Sequence, residues 1–398
     1  MEKNDLFPVV VCPKTALSNS PIHTMNACMR NGQSLKVLIC NFESMQTPSG
    51  VASYAIKLLR HLPYMEALTT RNAFNMPLEA REVNLEARTR YNEIFWITPA
   101  KLILMYRKIR ESDLIHLNPF NFTELILLFL TRICGKKCIA TMHSNINSHC
   151  LTPIIALEMA RLIIVYNITL IMADGMVFLS QAHYENYRKY SLLKNRFKAR
   201  ATIIPNAIDA EKILTERKPV AESTLTCIFV GRFEKRKGIY DLMALAERLR
   251  GQEIRFLIVG FGPLQHQKPL PNVTIVGKVN NEDLFDHYDQ SHVFFMPSYS
   301  EASPITLLEA MARGLVVLAS DIPGMREKIK PGRNGYLFKP GDIEKMREQL
   351  LYIKDHPQEM RSIGRNNLED VKRFTVENQA NQYREVYRQI LQYDKSLF

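Results

Sequence analysis

Short apolar runs recur along this chain, each followed by a stretch with helical spacing, in two separate series. The first series holds Leu35-Lys36-Val37-Leu38-Ile39-Cys40, Ser112-Asp113-Leu114-Ile115-His116-Leu117, Lys137-Cys138-Ile139-Ala140-Thr141 and Asp174-Gly175-Met176-Val177-Phe178-Leu179-Ser180. The second holds Leu225-Thr226-Cys227-Ile228-Phe229-Val230, Arg255-Phe256-Leu257-Ile258-Val259, Val273-Thr274-Ile275-Val276, Val293-Phe294-Phe295-Met296 and Leu315-Val316-Val317-Leu318-Ala319. Runs this short and this continuous fit strands buried on both faces, and their alternation with helices indicates parallel sheets covered on both sides. Helices are expected at 51–61 and around 124–129. The chain is therefore expected to be α/β, with two doubly wound domains joined near 206–222. The expected division is an irregular extension at 1–34, a first domain at 35–206, a second at 207–375, and a long polar helix within 376–398 placed to cross back to the first domain.

The 398 residues suffice for two such domains, and 46% apolar with 23% charged residues is the composition of a soluble globular protein. Seven cysteines at 12, 28, 40, 134, 138, 150 and 227 show no paired pattern, so a reduced, intracellular (cytoplasmic) setting is expected. The cluster Cys138, His143, His149 and Cys150 has no zinc-site spacing, and no metal is expected. Val9-Val10-Val11 is too short for the core of a signal peptide, and the uncharged stretch 162–173 is too short to span a bilayer.

The net charge of +12 is uneven, with +10 in residues 1–206 and +2 in the remainder. An anionic partner for the first half follows. No nucleic-acid signature is present, and nucleic acid is not expected as a partner. An anionic membrane surface, met at its cytoplasmic face by Lys101, Arg107, Lys108 and Arg110 or by Arg188, Lys189, Lys194, Arg196, Lys198 and Arg200, stands level with a merely solvated basic face.

Ligands of doubly wound sheets bind beyond the carboxyl ends of the strands, and the chemistry-bearing residues fall there. After Met296 a loop carries Glu301, and a helix follows with Ser303 suited to its N-cap, Pro304 to its first position and Gly314 to its end. The backbone N–H groups of Ile305 and Thr306 at the positive end of the helix dipole form an anion site. Glu309 lies about one and a half turns further on, where a carboxylate repels phosphate but accepts hydrogen bonds from sugar hydroxyls. A ligand with both phosphate and hydroxyl groups fits this pair of acids; a capped core helix with one surface glutamate reads equally well from this stretch alone.

After Val230 comes Gly231-Arg232-Phe233-Glu234-Lys235-Arg236-Lys237-Gly238, where Arg232 and Lys237 can converge on a diphosphate. Alone, the stretch is better explained as a basic surface turn, with nuclear import a weak third reading. Gly50 marks the change from first strand to helix, as a ligand approach or a simple turn. His143 follows the strand ending at Thr141; a lone histidine is more often structural than functional. Gly260-Phe261-Gly262-Pro263 lacks the third glycine of a dinucleotide loop and reads as a strand-end turn.

These motifs, taken in order, resemble the family 4 glycosyltransferases of the GT-B fold, most strongly over 225–345 and more weakly over 35–210. The resemblance rests on Gly231-Arg232 with Lys237-Gly238, on Glu301 and Glu309 followed by Ala310-Met311-Ala312, on Asn334-Gly335-Tyr336-Leu337, and on Pro205-Asn206-Ala207-Ile208-Asp209. It implies two Rossmann-like domains facing each other across a cleft. It implies a retaining enzyme that uses no metal and moves a sugar from a nucleotide sugar, UDP- or GDP-linked, to a glycan or lipid-linked acceptor. Arg232 and Lys237 would bind the diphosphate and Glu309 the ribose, with Glu301 on the donor sugar. Ile305 and Thr306 would meet the phosphate, and 276–278, ending in Lys278, would lie along the base. Gly50 would approach the phosphate, with His143 beside the transferred sugar. No nucleophile is implied. The family's Gly-Gly before the first helix is Ser49-Gly50 here, and its Gly-Phe-Gly after the first glutamate is Ala302-Ser303-Pro304. Alternatives on the same fold are a sugar-nucleotide epimerase or a disaccharide phosphorylase; a non-catalytic module binding membrane or acidic polymer is another, against which the intact Arg232, Lys237, Glu301 and Glu309 argue.

Overall fold

The computed structural model describes residues 29–30, 33–41, 50–69, 82–84, 98–119, 122–143, 145–146, 153–192, 201–217, 224–263 and 270–392. The first lobe contains β1 (Met29–Arg30), β2 (Gln33–Ser34), β3 (Val37–Asn41), α1 (Gly50–His61), β4 (Met65–Thr69), β5 (Glu82–Asn84) and α2 (Pro99–Glu111). It continues with β6 (Leu114–Leu117), α3 (Phe122–Ile133), β7 (Lys137–Thr141), α4 (Pro153–Met172), β8 (Gly175–Phe178), α5 (Gln181–Arg188) and β9 (Ala201–Ile203). Strands β3 to β9 form one sheet in the order β5-β4-β3-β6-β7-β8-β9, every pair parallel. Where 1–34 reads as irregular in sequence, its described residues β1 and β2 pair as a short antiparallel ladder.

The second lobe contains β10 (Leu225–Val230), α6 (Ile239–Arg248), β11 (Ile254–Val259), β12 (Val273–Gly277), α7 (Asn281–Asp289), β13 (Val293–Met296) and α8 (Ile305–Ala312). Then come β14 (Val316–Ser320), α9 (Pro323–Arg326), β15 (Gly335–Phe338), α10 (Ile343–Asp355), α11 (Pro357–Val371) and α12 (Val376–Gln392). Its sheet runs β12-β11-β10-β13-β14-β15, again all parallel. In both lobes the order is that of a doubly wound fold, with the reversal between the first and fourth strands. That reversal sets the loops after β10 and β13 side by side.

Each sheet buries both faces. In the second lobe α6 and α10 cover one side through Leu242, Leu245, Met346 and Leu350, and α7 and α8 cover the other through Leu284, Tyr288, Leu307 and Leu308. Helix α12 is polar in composition, yet Val376, Ala380, Tyr383, Val386 and Tyr387 recur at helical spacing and are buried. This stripe packs against Tyr54, Leu58 and Leu62 of the first lobe. Each fully buried apolar side chain of the stripe contributes roughly 1.5–3 kcal/mol relative to exposure, which anchors the last helix on the first lobe.

The chain crosses between lobes twice, and the crossings are bonded together. Ile208 N–H donates to Phe374 O at 2.9 Å, and Val376 N–H donates to Ile208 O at 3.0 Å. Further contacts bridge the cleft: Glu327 accepts from Gln181 N–H at 3.1 Å and Ala182 N–H at 2.6 Å, and Asn145 Nδ2 donates to Ser300 Oγ at 3.0 Å. A carboxylate there is placed on the positive end of α5.

Cys40, Cys134, Cys138 and Cys227 are free thiols; Cys12, Cys28, Cys150 and His149 lie outside the described residues, as do Lys194, Arg196, Lys198 and Arg200. Among the described residues no group of His, Cys, Asp or Glu is placed to hold a metal ion, and no helix is long and apolar enough to cross a membrane.

Candidate active site

Two glycines draw the loops of the second lobe together. Gly238 has φ 71°, and a Cβ there would lie 2.0 Å from Pro297 O, so only glycine lets the loop after β10 touch the loop after β13. A Cβ on Gly324 would lie 2.4 Å from Glu301 O, so α9 supports the acidic loop from behind. Backbone and side chains then pin the two loops. Tyr299 N–H donates to Arg236 O at 2.9 Å, Arg236 Nη1 to Ser300 O at 3.1 Å, and Lys237 Nζ to Glu301 Oε1 at 2.5 Å. The Glu301 side chain is only 8% exposed and that of Lys237 18%. Arg232 stands in the same loop with its side chain 55% exposed, paired to Glu234 Oε1 at 2.8 Å. Gly231, at the end of β10, is held by its N–H on Val259 O.

The helix start differs from expectation. The first residue of α8 is Ile305, and Pro304, with φ −68° and ψ 129°, occupies the capping position without a side-chain cap. Ser303, expected as the N-cap, is held outside the helix by the linker. Asn206 N–H donates to Ser303 Oγ at 3.3 Å, and Asn206 Nδ2 donates to Ser303 O at 2.7 Å. With its hydroxyl engaged there, Ser303 gives α8 no capping hydrogen bond, and the Ile305 and Thr306 amides have no side-chain cap. Asn206 Oδ1 is buried with no hydrogen-bond partner.

Glu309 sits within α8 and accepts from Tyr288 OH at 3.0 Å. Burial holds its carboxyl above the ordinary range; Lys57 and the Tyr288 hydroxyl pull it down and Asp209 pushes it up. Lys57 reaches this point from α1 of the first lobe, donating to Ala207 O at 3.1 Å and lying 3.7 Å from Asp209 Oδ2. Lys278 is exposed beyond β12, 6.0 Å from the centre of the Phe261 ring.

On the first lobe, His143 follows β7 with Nε2 3.1 Å from Asn118 Oδ1 and its ring 4.7 Å from that of Tyr54, edge to face. Burial first, then His183 and His116, hold its imidazole down to about 3, so it is neutral. Gly50 is the first residue of α1, where the sheet order reverses; Ser49 and the rest of 42–49 lie outside the described residues. Asn206, Lys57, Tyr288 and Asn118 were not singled out in sequence. Only Asn206 carried a signal, as part of the Pro-Asn-Ala-Ile-Asp stretch; the others come into place through tertiary packing.

A cationic loop, an uncapped helix start and the half-buried Glu309 carboxylate therefore share the carboxyl end of one sheet. Such an arrangement can hold a diphosphate and a neighbouring diol together. Residues 211–370 match a family model described as glycosyl transferases group 1. The chain is 29% identical over 187 residues to N-acetyl-alpha-D-glucosaminyl L-malate synthase of Bacillus anthracis, covering 44% of this chain and 49% of that protein. It is 27% identical to the D-rhamnosyltransferase WbpZ of Pseudomonas aeruginosa, covering 64% and 68%. The match thus spans about half the first relative and about two thirds of the second. Among solved structures, Anabaena HepE in complex with UDP and glucose superimposes with a TM-score of 0.74 at 16% identity, covering 89% of this chain and 99% of that one. Sucrose-phosphate synthase of Thermosynechococcus elongatus gives 0.73 at 21%, covering 90% and 100%.

The fold is that of the GT-B glycosyltransferases. Within the second lobe, residues 211–370 are similar to the glycosyl transferases group 1 family.

Proposed function

We propose that the chain is a retaining glycosyltransferase that moves a sugar from a UDP- or GDP-sugar to a glycan or lipid-linked acceptor. The observation that carries this reading is the Lys237–Glu301 contact beside the uncapped start of α8. Lys237 and Arg232 neutralise the departing diphosphate, the role a metal ion fills elsewhere, together with the Ile305 and Thr306 amides. Glu309 accepts from the ribose hydroxyls and Glu301 from the donor sugar. His143, neutral, lies beside the transferred sugar, and Lys278 lies along the base. The named activities of the relatives, a rhamnosyltransferase and an O-antigen chain mannosyltransferase of Escherichia coli, support sugar transfer to a glycan.

The acceptor side is read as facing an anionic membrane at the cytoplasmic surface. Exposed Ile103 and Tyr106 on α2 lie among exposed Arg107 and Arg110, and Phe129 and Ile133 are exposed on the adjoining α3. Apolar anchors among cations suit an interfacial surface.

Incubation with UDP-, GDP- and ADP-sugars tests the donor reading. Binding, turnover or hydrolysis of at least one, lost in Arg232→Ala and Glu309→Ala, is the expected result; indifference to every donor contradicts it. Vesicles containing anionic lipid should sediment the protein, and neutral vesicles should not.

A further inference from the structure

We propose that Asn118, beyond β6, and the Tyr383–Tyr387 pair of α12 are positioning residues for His143. The last helix of the chain, which reaches the first lobe from the second, thereby sets the geometry of one wall of the cleft. The inference deepens the proposed function, since it is that reading which puts a sugar beside His143.

The neighbouring strands β6 and β7 carry His116 and Thr141, both fully buried. His116 Nε2 lies 2.8 Å from Thr141 Oγ1, and its Nδ1 lies 2.6 Å from Tyr387 OH. Thr141 Oγ1 is also 3.1 Å from Tyr383 OH and 3.5 Å from Tyr54 OH. Tyr54, Tyr383 and Tyr387 are at most 2% exposed. Tyr54 then presents its ring to His143, whose Nε2 meets Asn118 Oδ1. The Asn118 amide is oriented by its other end, Nδ2 donating to Cys40 O at 3.5 Å. A continuous buried path thus runs from α12 to His143.

Burial keeps His116 and His143 neutral, and a neutral imidazole has one donor and one acceptor nitrogen. Donation from Nε2–H to Asn118 Oδ1 leaves Nδ1 of His143 as an acceptor for a hydroxyl. His116 must donate to one of Thr141 and Tyr387 and accept from the other, which fixes the proton order around it. A core needed only for packing would be apolar; a satisfied polar network at this depth specifies one arrangement. Tyr383 and Tyr387 stand four residues apart on one face of α12. That helix begins immediately after Thr375, which bridges to Ile208 of the linker.

The test is nitrogen-15 histidine spectroscopy on the full chain, with steady-state kinetics on the best donor, for Tyr387→Phe, Tyr383→Phe and Asn118→Ala. His143 in the parent should carry its proton on Nε2, and its signals should move in Tyr387→Phe and in Asn118→Ala. Turnover should fall about ten- to a hundredfold with UDP or GDP affinity unchanged, and combining Tyr387→Phe with His143→Ala should cost no more than His143→Ala alone. Unmoved His143 signals in both variants overturn the proposal, as do losses that add to that of His143→Ala. Moved signals in a chain that binds neither UDP nor GDP uphold the positioning network and contradict the glycosyltransferase reading. Asn118→Ala, outside α12, gives the answer should the tyrosine variants fold poorly.

Discussion

Lys237 Nζ lies 2.5 Å from Glu301 Oε1, joining the loops after β10 and β13 where the strand order reverses. The contact fixes the ammonium group at the carboxyl end of the second sheet. Lys237→Met removes that charge and leaves a largely buried carboxylate alone. Turnover of the donor should drop about 10²–10³-fold, with a destabilisation of roughly 1–3 kcal/mol, read from kinetics and a urea titration. Glu301→Gln should keep more of the diphosphate affinity than Lys237→Met does, because the cation remains.

Glu309 offers a sharper test, because its proposed partner is the ribose. Glu309→Gln should weaken UDP or GDP binding by roughly 1.5–3 kcal/mol in a calorimetric titration. It should also remove most of the parent's preference for the ribonucleotide over its 2′-deoxy counterpart. A Glu309→Gln variant that still discriminates fully would place the carboxylate elsewhere.

The two lobes, their parallel sheets and the motifs of the second lobe were readable because each depends on local pattern. A strand such as Val293–Met296 is apolar throughout and ends in a loop and a capped-looking helix. Strand β4, Met65–Thr69, carries Glu66 at its second position and so shows no continuous apolar run. The state of Ser303 was not readable either, since Asn206, 97 residues away, takes its hydroxyl. Lys57 was equally silent: nothing about a lysine in an amphipathic helix says that it reaches a linker carbonyl in space. Residues brought together by topology leave no spacing in the sequence.

The Asn206–Ser303 contact predicts a side-chain effect at the start of α8. Asn206→Ala removes the Nδ2–H donation to Ser303 O and leaves the backbone N–H on Ser303 Oγ in place, so residue 303 loses one of its two holds at a cost of roughly 1–3 kcal/mol. Nucleoside diphosphate affinity should fall severalfold in a titration, because the proposed phosphate amides of Ile305 and Thr306 follow directly in the chain; an unchanged affinity would mean that Asn206 does not position the helix start.

The buried histidines predict the acid limb of stability. His116 and His143 are held down to about 3 by burial, from an ordinary 6.5. Between those values the unfolded chain binds protons that the folded chain refuses, so stability falls as the pH falls through that window and is full above about 6.5. The fully buried His116 should add about 1.4 kcal/mol per pH unit to the slope. Unfolding free energies from pH 7 to pH 4.5 should show this, and His116→Gln should flatten the limb by one histidine's share.

The central claim is that the loop of Arg232 and Lys237 and the start of α8 hold one diphosphate. The most direct measurement is thermal stabilisation by UDP, GDP and their sugars, in the parent and in an Arg232→Ala, Lys237→Ala variant. At about a hundred times its dissociation constant, a true donor should stabilise the parent by about 2.7 kcal/mol, and the variant should show almost none of that shift. A parent indifferent to every nucleotide, or a variant stabilised as much as the parent, would contradict the account.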